Sequence, residues 1–173
     1  MRGVDHDVVV IGGGQAGLAV AYYLRRAGLD FVVLDAEERP GGAWRHTWDS
    51  LRLFSPAGYS SLPGWPMPPS QTKGFPTRDE VIDYLTRYER RYEFPIERPC
   101  EVEAVERDGQ RLRLRLKDQR GLTARAVVSA TGTWGAPYFP DYADRELFGG
   151  IHLHSAHYRN PQPFAGKRVL IVG

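Results

Sequence analysis

The chain has a single cysteine, Cys100, so it can close no internal disulfide and carries no Cys-x-x-Cys redox pair. It has no run approaching the ~20 apolar residues of a membrane span. Met1-Arg-Gly-Val-Asp-His6 leads straight into an apolar strand without the core of a signal peptide. Net charge is also small: 23 basic against 21 acidic side chains leave +2, which implies no general attraction to nucleic acid or an anionic membrane. There is no Gly-x-Ser-x-Gly elbow, and Gly12-Gly-Gly-Gln15 lacks the Lys-Ser/Thr of an ATP-type phosphate loop. Nucleophilic hydrolysis and phosphoryl transfer are therefore unsupported. His152, His154 and His157 lie close together, but no second ligand cluster accompanies them, so no metal site is expected. What remains is the composition of a globular protein, 42% hydrophobic and 25% charged over 173 residues, enough for one domain with its own core and short for two. A cytoplasmic protein is expected.

Val8 to Gly17 organises the rest. A continuous apolar run, Val8 to Ile11, reads as a strand buried on both faces, and glycines follow at 12, 14 and 17 before the spacing turns helical. Each glycine has a physical task in a dinucleotide-binding turn. Gly12 allows the sharp turn, Gly14 lets the backbone approach a pyrophosphate, and Gly17 lets helix and strand pack closely. The helix N-terminus then presents unpaired N–H groups and a positive dipole end to the phosphates. Ala16, Ala19, Val20, Tyr23, Leu24 and Ala27 are spaced to form the stripe that faces the sheet, and Gly28 can end the helix. A second strand, Phe31 to Leu34, terminates in Asp35, which stands 35 − 12 = 23 positions after the first glycine. That is close to the ~20 expected of the acid that accepts a ribose hydroxyl.

From Gly41 to about Lys73 the chain is rich in Pro, Gly, Ser and aromatics without periodicity. Trp44, Trp48, Leu51, Leu53, Phe54, Tyr59, Leu62, Trp65 and Met67 give it too much apolar surface for disorder, so an ordered loop packed over something flat is expected. An aromatic ring system fits that description, as does a sheet edge. Thr77-Arg-Asp-Glu80 is a capping box that starts a helix with Val81, Tyr84, Leu85, Tyr88 and Tyr92 buried and Arg87, Arg90 and Arg91 outward, stopped at Phe94-Pro95. The period then becomes two. Glu101 to Arg107, Arg111 to Lys117 and Thr123 to Ser129 form an antiparallel meander with Leu112, Leu114 and Leu116 inward and Arg111, Arg113 and Arg115 as its solvated face. The meander runs into Ala130-Thr131-Gly132, small residues that let backbone approach a ligand. Arg168 to Val172 repeats the opening pattern, an apolar strand leading to a glycine, Gly173.

These residues resemble a family. Phe148-x-Gly150-x-x-x-His154-x-x-x-Tyr158 matches the fingerprint of flavin-containing monooxygenases, the Tyr-ended form of a motif whose Trp-ended form is seen in Baeyer-Villiger monooxygenases. Gly12-x-Gly14-x-x-Gly17 resembles the family's FAD fingerprint, Gly41-Gly42-Ala43-Trp44 its GGxW loop, and Ala130-Thr131-Gly132 its ATG segment. The Trp48 to Pro56 stretch is similar to bacterial members of the class. The resemblance implies an α/β fold: a Rossmann-like FAD-binding domain with a parallel sheet and an antiparallel β-meander, truncated at the start of a second dinucleotide-binding domain. Residues 1–164 would be the N-terminal part of the FAD-binding domain and 165–173 the first strand of an NADPH-binding domain.

The implied activity is an FAD- and NADPH-dependent monooxygenase that passes one atom of O2 from a flavin C4a-(hydro)peroxide to a soft N or S nucleophile in a small-molecule substrate. By the motif matches, Gly12, Gly14, Gln15, Ala16 and Gly17 would hold pyrophosphate, Asp35 the adenosine ribose, and Gly42 and Trp44 the flavin side. Val102 with Ala130, Thr131 and Gly132 would face the adenine and linker, and His154 would couple the two domains. One departure stands out: many family members carry Asn beside the flavin in the segment matching Leu51 to Pro56, and Phe54 stands there in this chain. A non-catalytic FAD-binding fragment and a flavin-dependent disulfide reductase of related fold are the alternatives. The lone cysteine disfavours the second.

Overall fold

A computed structural model gives the fold and describes residues 3–172. The first strand, β1 (His6–Ile11), lies in the middle of a six-stranded sheet of order β3-β2-β1-β6-β5-β4. It is parallel to β2 (Phe31–Leu34) on one side and to β6 (Gly121–Ser129) on the other, and β2 is parallel to a two-residue β3 (Ile96–Glu97). Consecutive side chains of a strand point to opposite faces, and both faces of β1 are covered. Val8 and Val10 join Val33, Leu18 and Ala21 in one core cluster. Val9 joins Leu34, Leu114, Leu116 and Ala124 in a second. The continuous apolar run at Val8–Ile11 has this cause.

Helix α1 (Gln15–Arg26) packs on the first cluster. Its buried residues are Gly17, Leu18 and Ala21, whereas Ala16, Tyr23 and Ala27 are exposed. Of the face expected from spacing, Ala19, Val20 and Leu24 pack against the first cluster, and Ala16, Tyr23 and Ala27 do not. The reason is steric: Gly17 lies so close to Gly12, just beyond β1, that residues 17, 18 and 21 face the sheet, and Ala16, Tyr23 and Ala27 turn outward. Gly28, at φ +66°, ends the helix as expected, with its N–H donating to Arg25 O at 3.1 Å.

Helix α2 (Arg78–Tyr92) begins with the expected reciprocal capping box. Glu80 N–H donates to Thr77 Oγ1 at 3.2 Å, and Thr77 N–H donates to Glu80 Oε2 at 2.7 Å. Glu80 also accepts from Gln71 N at 2.7 Å and from the Ser70 hydroxyl at 2.9 Å, so the carboxylate ties the preceding loop to the helix. The Thr77 amide, with those neighbours, draws its pKa down to about 2 from 4.5. A lowered folded-state value means stability present above about pH 4.5 and lost as pH falls toward about 2. Glu80→Gln is expected to cost about 1 kcal/mol at pH 7. In urea midpoints measured from pH 7 to pH 3 it should show a shallower acid loss than the native chain; parallel curves would contradict the cap's ionic role.

Val81, Tyr84, Leu85 and Tyr88 are buried on α2 as expected, and Arg87, Arg90 and Arg91 are exposed. The helix stops at Tyr92, where Glu93 takes a left-handed conformation. The aromatic loop is ordered, and its flat partner is this helix. Trp65 stacks on Tyr84 with ring centres 5.3 Å apart. The Tyr84 hydroxyl donates to Trp65 O at 2.6 Å and accepts from Leu62 N at 2.8 Å, and the Tyr88 hydroxyl donates to Pro63 O at 2.6 Å. Leu51, Leu62 and Met67 are buried, while Phe54 and Tyr59 stand 87% and 88% exposed.

The meander comprises β4 (Val102–Asp108), β5 (Arg111–Leu116) and β6, antiparallel as expected. Leu114 and Leu116 are buried and Leu112 is half-buried. Arg113 and Arg115 pair across the outer face with Asp108 and Glu103, each at 2.8 Å. After β6 the chain is irregular apart from short 3-10 turns. Arg168–Val172 does not form the expected strand, and Leu170 and Ile171 stand 87% and 88% exposed. A strand needs backbone partners, and among the described residues none lies beside this run; Gly173 is outside the described residues. Among the described residues, no helix is long and apolar enough to cross a membrane.

Candidate functional site

The carboxyl ends of β1, β2 and β6 lie side by side, with Ile11 in register with both Leu34 and Ser129. Gly12 N–H donates to Leu34 O and Ala130 N–H to Ile11 O, each at 2.8 Å. This fixes the turn between Asp35 and Ala130. Gly12 has φ +103°, and a side chain there would bring its Cβ within 2.5 Å of Ala130 O. Gly17 is tighter still, with room for no Cβ against Gly12 O. The Gly41–Gly42 loop reaches the same point, since a Cβ on Gly42 would stand 2.7 Å from Gly14 Cα. Three separated segments, 12–17, 41–42 and 130–131, thus converge on one backbone surface at the end of the sheet where α/β proteins bind ligands.

The N-terminus of α1 opens onto this surface. Gly14 caps it without a side-chain hydrogen bond, no acid occupies the first turn, and the ladder starts with Leu18 N–H donating to Gly14 O at 3.0 Å. The N–H groups of Gln15, Ala16 and Gly17 precede that bond and are available to an anion, with the helix dipole favouring one.

Asp35 sits beside the turn, buried, in a network that sequence reasoning missed. Asp35 N–H donates to Glu97 O at 3.1 Å and Cys100 N–H donates to Asp35 O at 2.8 Å, so the acid's backbone is bracketed by the chain on either side of Arg98. The Arg98 side chain folds back onto the carboxylate, Nε donating to Asp35 Oδ2 at 2.6 Å. Its two terminal nitrogens donate to Glu89 of α2 at 2.9 and 2.7 Å. Side-chain exposures of 13%, 6% and 10% for Arg98, Asp35 and Glu89 put the trio out of water. Burial pushes the Glu89 carboxyl above the usual carboxylate range despite Arg98. Burial works against the Arg98 charge too, but hydrogen bonds to Glu89 and Asp35 outweigh it and keep the guanidinium protonated. One signal was available: Glu89 is an acid on the apolar face of α2, between Leu85 and Tyr92.

The remaining candidates are spread around this centre. Trp44 lies in the 3-10 turn Gly42–His46, half-buried against the first core cluster. Val102 is half-buried against the second cluster, two residues beyond the Cys100–Asp35 bond. Thr131 and Gly132 are exposed. His154 caps the turn Ser155–His157, its Nδ1 accepting from Ala156 N at 3.1 Å. The end of that segment packs on the loop after Trp44: Trp48 and Tyr158 have ring centres 6.1 Å apart, Asp49 N–H donates to Arg159 O at 3.0 Å, and the Arg159 guanidinium donates to His46 O. Phe54 points into solvent rather than into the cluster of glycines. Among the described residues no group of three or more His, Cys, Asp or Glu side chains is gathered.

Residues 9–173 match the pyridine nucleotide-disulphide oxidoreductase family. Over 167 residues the chain is 37% identical to an oxidoreductase of Geobacillus kaustophilus described as uncharacterized and CzcO-like, covering 96% of this chain and 47% of that protein. A solved flavin-containing monooxygenase from Stenotrophomonas maltophilia is 60% identical with a TM-score of 0.89, over 93% of this chain and 48% of that one. The S-allyl-L-cysteine S-oxygenase of Allium sativum is 28% identical with a TM-score of 0.78, over 91% and 43%. The chain spans about half the length of the curated relatives it matches.

Proposed function

The chain belongs to the pyridine nucleotide-disulphide oxidoreductase family, and from that premise we propose that it is the FAD-binding portion of an NADPH-dependent flavoprotein monooxygenase. The observation that carries this reading is the convergence of Gly12–Gly17, Gly42 and Ala130 on one backbone surface, which side chains would fill, at the open N-terminus of α1. Its likeness to a flavin-containing monooxygenase, at 60% identity, supports the same reading. So does the sulfur oxygenation named for the Allium relative, which favours a soft N or S nucleophile in a small molecule as substrate. We assign residues 1–164 to FAD binding and 165–173 to the opening of the NADPH-binding domain, in a protein of the cytoplasm.

The residues present fit the cofactor. Gly12, Gly14, Gln15, Ala16 and Gly17 would take the pyrophosphate on backbone N–H groups, and no basic side chain is needed there. Asp35 would accept a hydroxyl of the adenosine ribose. Gly42 and Trp44 would border the flavin side, and Val102 with Ala130, Thr131 and Gly132 the adenine and linker. His154, which caps a turn packed near Trp48 and Tyr158, would hold the chain where it passes to the next domain. When bound, FAD would supply the redox chemistry by which NADPH, a proton, O2 and the substrate become NADP+, water and the singly oxygenated substrate. The protein's own work is to bind, orient and exclude water.

The disulfide-reductase alternative needs two thiols. Within these 173 residues Cys100 has no second cysteine to pair with, and its thiol is buried, which pushes its pKa up and makes it a poor nucleophile. Aerobic NADPH oxidation by the whole protein, with a thioether or tertiary amine present, should yield oxygenated product in step with NADPH consumed. NADPH consumption with dithiol formation and no oxygenated product would overturn the monooxygenase reading.

A further inference from the structure

The cation beside the glycine turn is already engaged. Arg98 is an arginine within reach of the ribose acid, the type of residue that in other dinucleotide sites accommodates a ribose 2′-phosphate. A Cβ on Gly13 would stand 2.6 Å from its Nη2 and 2.5 Å from Asp35 Oδ2, so guanidinium and carboxylate both press against the turn itself. Yet Nη1 and Nη2 both donate to Glu89, and Nε donates to Asp35. Three of the five N–H donors of Arg98, one on each nitrogen, are committed to carboxylates from two other elements, which fixes the guanidinium plane and neutralises its charge before any ligand arrives. Two carboxylates on one guanidinium leave the trio with one net negative charge, which suits neutral hydroxyl donors and opposes a phosphate. Asp35 Oδ1 has only the Glu37 amide, at 3.5 Å, as a partner among the described residues, so its acceptor capacity is open to a hydroxyl.

We propose that Glu89 is a specificity-determining residue of this site: by binding one N–H of each terminal nitrogen of Arg98 and offsetting its charge, it denies a ribose 2′-phosphate a free cation, so that the turn selects an unphosphorylated adenosine ribose. Glu89 acts through Arg98 and is a positioning residue, fixing both the guanidinium and, at one remove, the Asp35 carboxylate. The inference rests on the reading of the turn as the FAD site. It goes further in locating the selectivity on a helix that the glycine motif does not contain.

The test titrates the full chain with two probes, ADP-ribose and its 2′-phosphate, by calorimetry. The native chain should prefer ADP-ribose by about tenfold or more, the size of one charge-assisted contact. Glu89→Gln, which keeps the shape and removes the charge, should shift that ratio by about tenfold toward the phosphorylated probe. Glu89→Asp, too short to span both nitrogens, should shift it in the same direction by less, and serves if the Gln variant does not fold. A purely structural role would weaken both probes equally, so an unchanged ratio in a folded variant overturns the proposal. Native protein that binds FAD while showing no preference between the probes also overturns it and leaves the FAD reading standing. Native protein that binds neither probe nor FAD overturns both.

Discussion

Replacing Gly17 by alanine should abolish FAD binding and destabilise the fold together. The atoms that a Cβ at residue 17 would strike are Gly12 O, in outright overlap, and Gly12 C at 3.1 Å, both backbone. Neither can rotate away, so relief requires α1 to lift from β1. That movement withdraws Leu18 and Ala21 from the first core cluster and carries the open N–H groups of the first turn away from the pyrophosphate. Overpacking a tight contact costs about 1–3 kcal/mol, and a cofactor held by backbone donors tolerates little displacement. We expect FAD affinity to fall by about two orders of magnitude or more, equivalent to roughly 3 kcal/mol. The matched control is Gly58→Ala, at a position with nothing within 4 Å, which should leave both affinity and melting temperature unchanged.

Arg98→Met should give a large loss of stability with every residue of the glycine turn unchanged in sequence. It leaves Asp35 and Glu89 buried with no cation between them. Removing one partner of a buried ion pair costs about 3–5 kcal/mol, and at roughly 2–4 °C per kcal/mol for a chain of this size the melting temperature should drop by about 6–20 °C. The loss depends on pH with a definite sign. Burial already holds the Glu89 carboxyl above its unfolded value, and removing Arg98 takes away the partner that opposes the rise while the Asp35 charge beside it remains. A raised value favours the folded state most below the unfolded pKa, and the benefit is lost as pH rises. The gap between native and variant should therefore be widest at neutral pH, shrink as pH falls through the raised folded-state value, and be smallest below about pH 4, where the unfolded carboxyls protonate as well. Adding Asp35→Asn and Glu89→Gln to the variant should recover much of the loss. A gap under about 1 kcal/mol at pH 7, the range of exposed pairs, would contradict the buried network.

The parts of the fold legible from sequence are those whose cause is local. The apolar run Val8–Ile11, the glycines at 12, 14 and 17, the Thr77–Glu80 box and the alternating leucines of β5 each state their conformation within a few residues. The parts that were not legible depend on distant contacts. Spacing alone placed Ala19, Val20 and Leu24 on the core but missed that the face is centred on Gly17, Leu18 and Ala21, because the approach of Gly17 to Gly12 sets it. The aromatic loop was legible as ordered, but Trp65 and Leu62 serve the tyrosine face of α2. The Arg168–Val172 run has the composition of a strand without a neighbouring strand to pair with among the described residues. Asp35 was found by its distance from Gly12, while Arg98 and Glu89 were not, since nothing near either residue in sequence states that β3 and α2 deliver them to the same carboxylate.

The central claim is that the turn at Gly12–Gly17 holds FAD, and the most direct test is a titration of the purified 173-residue chain with FAD, followed by flavin fluorescence. We predict saturable one-to-one binding, with a yellow protein after desalting, that is lost in Gly17→Ala and kept in Gly58→Ala. A folded chain that remains colourless with excess FAD, or one whose flavin binding survives Gly17→Ala, would contradict it.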